Sequence, residues 1–308
     1  MSPLATALAE YLTIRRKLGF KLGREGQLLQ DFVAYLDKQG ATTVTTELAL
    51  AWARKPTGAH RSWWGARLST VRVFAKYLQT IDPATQVPPA DILPARSQRA
   101  TPYLYSASDI DALMVTARRL RFEHRAVTFT TLIGLLAVTG MRVGEAIGLD
   151  LDDIDWSEGS LTIRKSKFGK SREVVLHPTT VEALHAYARQ RQQLRPRPRT
   201  PSFFVSMAGT RLIYQNVHCT FHELVGQADI GPRSSRCRPR PHDLRHTFAV
   251  NTLLAWYRDG LDVPSRMHLL STYLGHLDPS ETYWYLSATP ELLSLAGQRL
   301  ELTLGELP

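Results

Sequence analysis

The chain has 308 residues, room for two domains of ordinary size, and 44% of them are hydrophobic, which builds real cores and argues against wholesale disorder. Lysine and arginine exceed the acids by 38 to 28, a net charge of +10 spread over the whole length; that suits a polyanion along both domains but does not separate DNA from RNA or an anionic membrane. Two cysteines are too few for a disulfide framework or a zinc module, no apolar run reaches the ~18 residues of a membrane span, and the Met1-Ser2-Pro3-Leu4 start lacks a signal-peptide pattern, so a soluble cytoplasmic protein is expected.

The first 80 or so residues read as a small helical bundle. Leu4, Leu8, Leu12 and Leu18 recur at helical spacing until Gly19, and a second helix carries Leu29, Phe32, Val33 and Leu36 and stops at Gly40. Thr46 is the expected cap of a short third helix bearing Leu50 and Trp52. A fourth, from about Ser62 to Leu78, gathers Trp64, Leu68, Val71, Ala75 and Leu78 on one stripe. Its other faces hold Arg61, Arg67, Arg72 and Lys76, either a solvated surface or a set of phosphate contacts. From Pro83 to Pro102 the prolines at 83, 88, 89, 94 and 102 forbid a continuous helix and mark a linker.

Beyond the linker a helix capped by Ser108 should run to about Leu120. An apolar helix from Val127 to Thr139 should end at Gly140, and a shorter one should follow from Met141 to Leu149. The period then changes. Ser160 to Lys165 alternates as a strand, Arg172 to Leu176 is its partner, and Ser166 to Lys170 is the turn between them. A helix from Thr180 to Leu194 is broken by Arg195-Pro196-Arg197-Pro198-Arg199, and the remainder is expected to be helical apart from an arginine-rich loop from Gly231 to Pro241.

Four separated segments carry chemistry. They are Thr139-Gly140-Met141-Arg142-Val143-Gly144-Glu145, then Lys165-Ser166-Lys167-Phe168-Gly169-Lys170, then His242-Asp243-Leu244-Arg245-His246, then Leu274-Gly275-His276 with Tyr285 nine residues on. Arg142 and Arg245 are permanently charged forks that suit phosphate oxygens. Glu145, three residues after Arg142, shares its helical face, as His242 shares that of Arg245. His246 lies about 100° round from Arg245 on an ideal helix and is expected to be structural, while Leu244 and Phe248 anchor the opposite side. Lys165, Lys167 and Lys170 all border the hairpin tip. Tyr273, Tyr283 and Tyr285 all lie near the last segment, and a phenol there needs nearby cations or a base to become a nucleophile.

In order and spacing these segments resemble the tyrosine recombinase (phage integrase) family over roughly the C-terminal two thirds of the chain. The resemblance implies a mainly α (α+β) fold: a SAM-like N-terminal helical bundle, and a mostly helical catalytic domain with a small antiparallel sheet. It implies a core-binding domain over 1–82, a proline-rich linker over 83–102 and a catalytic domain over 103–308, with 286–308 a tail that either couples protomers or packs in cis. It selects Tyr285 as nucleophile and Lys167 as the hairpin lysine, with Arg142, His242, Arg245 and His276 around the phosphate and Glu145 orienting Arg142. DNA contacts are expected from Arg61, Arg67, Arg72, Lys76, Arg238 and Arg240, with Arg233 and Arg236 in the same basic loop.

The activity implied is site-specific cleavage and rejoining of DNA through a 3′-phosphotyrosyl link, as in integration, excision or transposition of a mobile element. No cofactor or metal is implied. The implied partners are double-stranded DNA, three further copies in a tetramer on two sites, and accessory DNA-bending or partner recombinase proteins, in the nucleoid and not at a membrane. A non-catalytic DNA-binding relative and a type IB topoisomerase-like nicking-closing enzyme are the alternatives.

Overall fold

The structure is a computed structural model that describes residues 2–93, 100–164, 171–287 and 289–305. It divides into two compact units, Met1–Arg99 and Ala100–Pro308.

The first unit holds four helices, α1 (Pro3–Lys17), α2 (Gly23–Lys38), α3 (Thr46–Arg54) and α4 (Arg61–Leu78). Phe32, Leu36, Ala49, Leu68, Val71 and Phe74 are fully buried among them, so the apolar stripes read from the sequence meet in one core. The cap of α3 is Thr45, not Thr46: Thr45 has extended backbone, and its hydroxyl accepts the Leu48 N–H at 3.2 Å. Arg67 departs from the expectation of a DNA-facing side chain. It is 7% exposed, stacks over the Trp52 ring at 3.6 Å and donates to the Trp52 carbonyl at 3.0 Å. Burial lowers its pKa. Arg72 donates from Nε to the Pro88 carbonyl and from Nη2 to the Pro89 carbonyl, both at 2.7 Å. Part of the proline-rich segment therefore lies on this unit: the Gln86 N–H bonds to the Val44 carbonyl at 2.8 Å, and Thr85 and Leu93 are buried. Arg61 and Lys76 are exposed.

The second unit is built on α5 (Ala107–Arg118), α6 (Glu123–Thr139), the single turn α7 (Val143–Ala146), α8 (Pro178–Leu194), α9 (Tyr214–Gln227), α10 (Asp243–Arg258), α11 (Val263–Leu274), the single turn α12 (Ser280–Tyr283) and α13 (Pro290–Gly305). Ser106, not Ser108, caps α5, in a reciprocal pair with Asp109. The run read as a helix over Met141–Leu149 is only the turn α7, because Arg142 takes the extended capping conformation at its start. The expected hairpin gains a third strand. In the order β1 (Ile154–Asp155), β2 (Ser160–Ile163), β3 (Arg172–Val175) the sheet is antiparallel throughout, with Ile154 opposite Leu161 and Leu161 opposite Val174. Residues 200–213 are not helical as expected. Phe203, Phe204 and Val205 are fully buried in succession, a pattern of extended chain and not of one helix face, and Gly209 at φ +73° turns the segment back so that Val205 pairs with Arg211.

Two hydrophobic clusters fill this unit. One joins α5, α6, the sheet, α8 and α9, through Leu113, Leu132, Ile133, Leu161, Val174, Leu184 and Phe221. The other joins α10, α11 and the C-terminal turns through Ala249, Leu253, Val263, Leu274, Tyr285 and Leu292. α13 packs on its own chain: Leu292 is fully buried, Glu291 pairs with Arg258 at 2.6 Å, and Arg299 donates to the Gly260 carbonyl at 2.9 Å.

Candidate active site

The site forms where α6 and α11 both stop at a left-handed glycine. Gly140 has φ +59° and Gly275 φ +69°, conformations that side chains rarely adopt, and each position is also closed sterically. A Cβ on Gly140 would stand 2.4 Å from Phe248 Cδ1, and one on Gly275 would stand 2.6 Å from Arg172 Nη1. Such ends leave carbonyls without helical partners, and here arginines take them.

Arg245, on the first turn of α10, is 2% exposed. Its Nη1 donates to the Gly140 carbonyl at 2.9 Å and its Nη2 to the Leu274 carbonyl at 2.7 Å, so one guanidinium bridges the negative ends of two helices. Burial, then the charge of Arg142, lowers its pKa to about 10, and it stays charged at neutral pH. Arg142 donates from Nη2 to the Gly275 carbonyl at 3.3 Å and from Nη1 to Glu145 Oε1 at 2.9 Å. The two arginines thus hang on consecutive carbonyls, 274 and 275, and two positive charges stand side by side.

Glu145 orients Arg142 from both directions, since its Oε2 also accepts the Arg142 backbone N–H at 2.9 Å. The same carboxylate takes Arg172 of β3, Nη1 to Oε1 at 3.0 Å and Nη2 to Oε2 at 2.8 Å. Burial alone would raise the Glu145 pKa, but the Arg172 and Arg142 bonds hold it down to about 2. His276 follows the second carbonyl directly. Its Nδ1 shares a 2.6 Å hydrogen bond with the buried Thr282 hydroxyl. Burial, then Arg245 and Arg142, depress its pKa to about 3, so the imidazole is neutral at physiological pH. The 4.0 Å approach of Glu281 to its Nε2 is therefore not an ion pair under those conditions.

Tyr285 sits in a tight 3-10 turn, Trp284–Ser287, and is 2% exposed. Its ring lies 6.1 Å from that of His276, nearly parallel, and 5.5 Å from that of His246. Tyr283 points outward at 51% exposure. The ring of Tyr273 stacks on Phe248, and its backbone carbonyl accepts Arg172 Nε at 2.8 Å. His242 is exposed at the entry of α10, with its ring edge-on to His246 at 4.9 Å.

The fold therefore gathers Arg142, Glu145, Arg245, His276 and Tyr285, with His242 one ring further out. Lys167, like Lys165 and Lys170, lies outside the described residues. In the basic loop Arg238 is exposed, whereas Arg240 is tied to buried Asp243 by two bonds, Nε to Oδ2 at 3.0 Å and Nη2 to Oδ1 at 2.7 Å. Arg233 of that loop covers the Tyr103 ring and donates to the Leu104 carbonyl at 2.8 Å. Two neighbours of the site were not expected to touch it. Arg172 reads in the sequence only as the first residue of the second hairpin strand, with nothing local to reveal its carboxylate partner. His246, expected to be structural, has its ring against that of Tyr285. Its i+4 spacing from His242 is the one sequence sign that both would lie on a common face. Among the described residues no group of three or more His, Cys, Asp or Glu side chains is placed to hold a metal ion, and no helix is long and apolar enough to cross a membrane.

Comparison with known proteins agrees with this geometry. Residues 105–291 match the model of the phage integrase family. The putative integrase/recombinase y4rB of Sinorhizobium fredii (strain NBRC 101917 / NGR234) is 45% identical over 307 residues, 98% of each chain. Tyrosine recombinase XerD of Mycobacterium tuberculosis is 36% identical over 176 residues, 56% of this chain and 50% of its own. In fold the chain is similar to the integrase of transposon Tn1549, solved with transposon right end DNA, at a TM-score of 0.66 and 18% identity over 98% of this chain and 100% of that one. It is also similar to a lambda integrase dimer bound to a core site, at a TM-score of 0.61 and 18% identity over 92% and 77% of the two chains. A mostly helical catalytic unit with a small antiparallel sheet, a paired-arginine site and a relative of nearly equal length converge: the chain belongs to the phage integrase family and is a tyrosine-type site-specific recombinase.

Proposed function

We propose that this recombinase cuts and rejoins double-stranded DNA through a 3′-phosphotyrosyl intermediate formed on Tyr285. The observation that carries the reading is the succession at 274–276: two carbonyls aim Arg245 and Arg142 side by side, the next residue is His276, and the Tyr285 ring stacks beside it. A DNA phosphodiester is shielded by its own charge, so cations must surround its non-bridging oxygens before a weak nucleophile can attack. Arg142 and Arg245 supply that field. We assign the Thr282 hydroxyl as donor to Nδ1 in the 2.6 Å bond they share, which puts the proton of neutral His276 on Nε2, where it donates to a phosphate oxygen.

Tyr285 Oη attacks phosphorus and its proton passes to His242. The P–O5′ bond breaks as Lys167 protonates the leaving oxygen, giving a 3′-phosphotyrosine and a free 5′-hydroxyl. A 5′-hydroxyl from a partner duplex reverses the step, so the bond energy is retained without a nucleotide cofactor. In this reading residues 1–82 grip the duplex, 83–102 link the domains and 103–308 carry the chemistry. Arg61, Lys76 and Arg238 reach the DNA backbone. Four copies act on two sites with accessory DNA-bending or partner proteins, at the nucleoid, to integrate, excise or transpose a mobile element. Residues 286–308, whose α13 packs on its own chain through Leu292 and Arg299, couple neighbouring copies by leaving that position when the copies assemble.

The test is capture of covalent protein–DNA adducts under denaturing conditions from cells expressing the wild type or Tyr285→Phe, followed by sequencing of the attached ends. Adducts at a few defined sites, absent from the mutant, are expected. Adducts that persist in Tyr285→Phe show that another residue is the nucleophile.

A further inference from the structure

We propose that Arg172 is a positioning residue of this site: by clasping Glu145 it sets both the direction and the free charge of Arg142. The inference rests on the reading of Arg142 as a phosphate ligand. The carboxylate of Glu145 accepts four bonds, two from Arg142 and two from Arg172, and its side chain is 7% exposed, so water does not share the load. With Arg142 alone, one negative charge would face one positive charge, and the guanidinium offered to the phosphate would be neutralised by its own holder. A second arginine on the same carboxylate leaves the cluster at +1 and leaves Arg142 with attraction to offer an anion.

Arg172 also fixes where that charge points. It is the first residue of β3, and its third donor, Nε, reaches the Tyr273 carbonyl at 2.8 Å near the end of α11. Its Nη1 fills the space that a Cβ on Gly275 would occupy, 2.6 Å away, and Gly275 is the residue whose carbonyl receives Arg142 Nη2. One planar fork therefore links the strand after the hairpin, the turn carrying Arg142 and the glycine preceding His276. A lysine carries the same charge but has one point of attachment in place of three.

The experiment compares wild type, Arg172→Lys, Arg172→Ala, Glu145→Gln and the Glu145→Gln/Arg172→Ala double variant in the adduct-capture assay, with formaldehyde-fixed occupancy of the same sites read in parallel. Arg172→Lys should leave occupancy within about threefold of wild type while the adduct yield falls about tenfold or more, and Arg172→Ala should lower it about 10²-fold. In the Glu145→Gln background, Arg172→Ala should lower the yield much less than it does alone, because the two act as one unit. The pH dependence moves as well. Without Arg172, the Glu145 and His276 pKa values rise, so the acid limb of activity shifts to higher pH, which a merely structural residue would not cause.

A wild-type adduct yield in Arg172→Lys, or equal losses from Arg172→Ala with and without Glu145, overturns the proposal. If the wild type itself gives no adduct, the covalent reading fails first, and a second measurement decides Arg172 separately. Inorganic phosphate is titrated into the purified full chain by calorimetry. A dissociation constant about tenfold weaker in Arg172→Lys, with that of Arg125→Ala unchanged, upholds the role, since Arg125 on α6 pairs with Glu223 on α9 at 2.8 Å and serves as an ion-pair control outside the site; equal affinity in all three rejects it.

Discussion

Buried arginines occur in both units of this protein, and comparing Arg67 in the first with Arg245 in the second shows what separates a structural cation from a reactive one. Both guanidiniums are nearly inaccessible, both donate to backbone carbonyls and both have pKa values lowered by burial. Arg67 lies flat on Trp52 and donates to the carbonyl of that same residue, so its charge is absorbed within one helix pair. Arg245 is suspended between two helix termini, with Arg142 near enough to lower its pKa further. Burial alone does not mark function. A second cation beside the first does: Arg142 shares the single Glu145 carboxylate with Arg172, so net positive charge is left beside Arg245 for an anion to bind.

The comparison can be broken by mutation. Arg245→Ala should reduce the adduct yield by ~10²–10³, since a transition-state donor is lost. Arg67→Ala should lower the unfolding free energy by ~1–3 kcal/mol through the lost packing on Trp52 and one lost buried hydrogen bond, yet leave the yield of the folded fraction near wild type. Denaturant titration beside adduct capture separates the two, and a large activity loss in Arg67→Ala at full folding would dissolve the distinction.

Glycines allow a second pairing. Gly40 and Gly275 both have φ near +65 to +70°, but no atom stands within 4 Å of a Cβ on Gly40. Gly40→Ala should show only the left-handed backbone strain, ~1–2 kcal/mol. Gly275→Ala should add displacement of Arg172 and an activity loss approaching 10²-fold, measurable in the same pair of assays.

Acid should weaken the second unit before the first. The folded pKa of His276 is below its ordinary value of 6.5, at about 3, so the unfolded chain binds a proton that the native site refuses. Stability from this group is complete above pH 6.5 and is lost as pH falls toward 3. Glu145 adds the same sign between 4.5 and about 2, where its paired carboxylate must be protonated. Urea midpoints at pH 7 and pH 4.5 should fall less for His276→Asn than for wild type. Smallest of all, Lys76→Ala on exposed α4 should alter stability by no more than ~0.5 kcal/mol and reduce the salt slope of DNA binding by about 1. An unchanged slope would remove α4 from the DNA-facing surface.

Legibility in the sequence followed the range of the interactions. Helices whose stripes and caps are local were readable, with errors of one or two residues at Thr45 and Ser106, where several hydroxyls compete for one capping position. The segment 200–213 defies its expected helix because three consecutive apolar residues, Phe203, Phe204 and Val205, carry no period and suit a buried extended chain as well as a helix. Arg67 and Arg72 looked like a basic face, since nothing local announces a carbonyl 15 or 16 residues away. Arg172 went unassigned for the same reason: its carboxylate lies 27 residues back and its carbonyl 101 residues on.

The sequence by itself determined the order of the reactive residue types, the places where glycine must end a helix, the charge that suits a polyanion and the membership of a family. Those are properties of spacing along one chain, and spacing is the same whether the chain is folded or not. Only the tertiary structure decided which cations face a common point and which are absorbed by the fold. A guanidinium has the same chemistry at Arg67, Arg72, Arg142, Arg172 and Arg245; its role is set by the acceptors that packing brings to it, and apart from Glu145 beside Arg142 those belong to distant parts of the sequence.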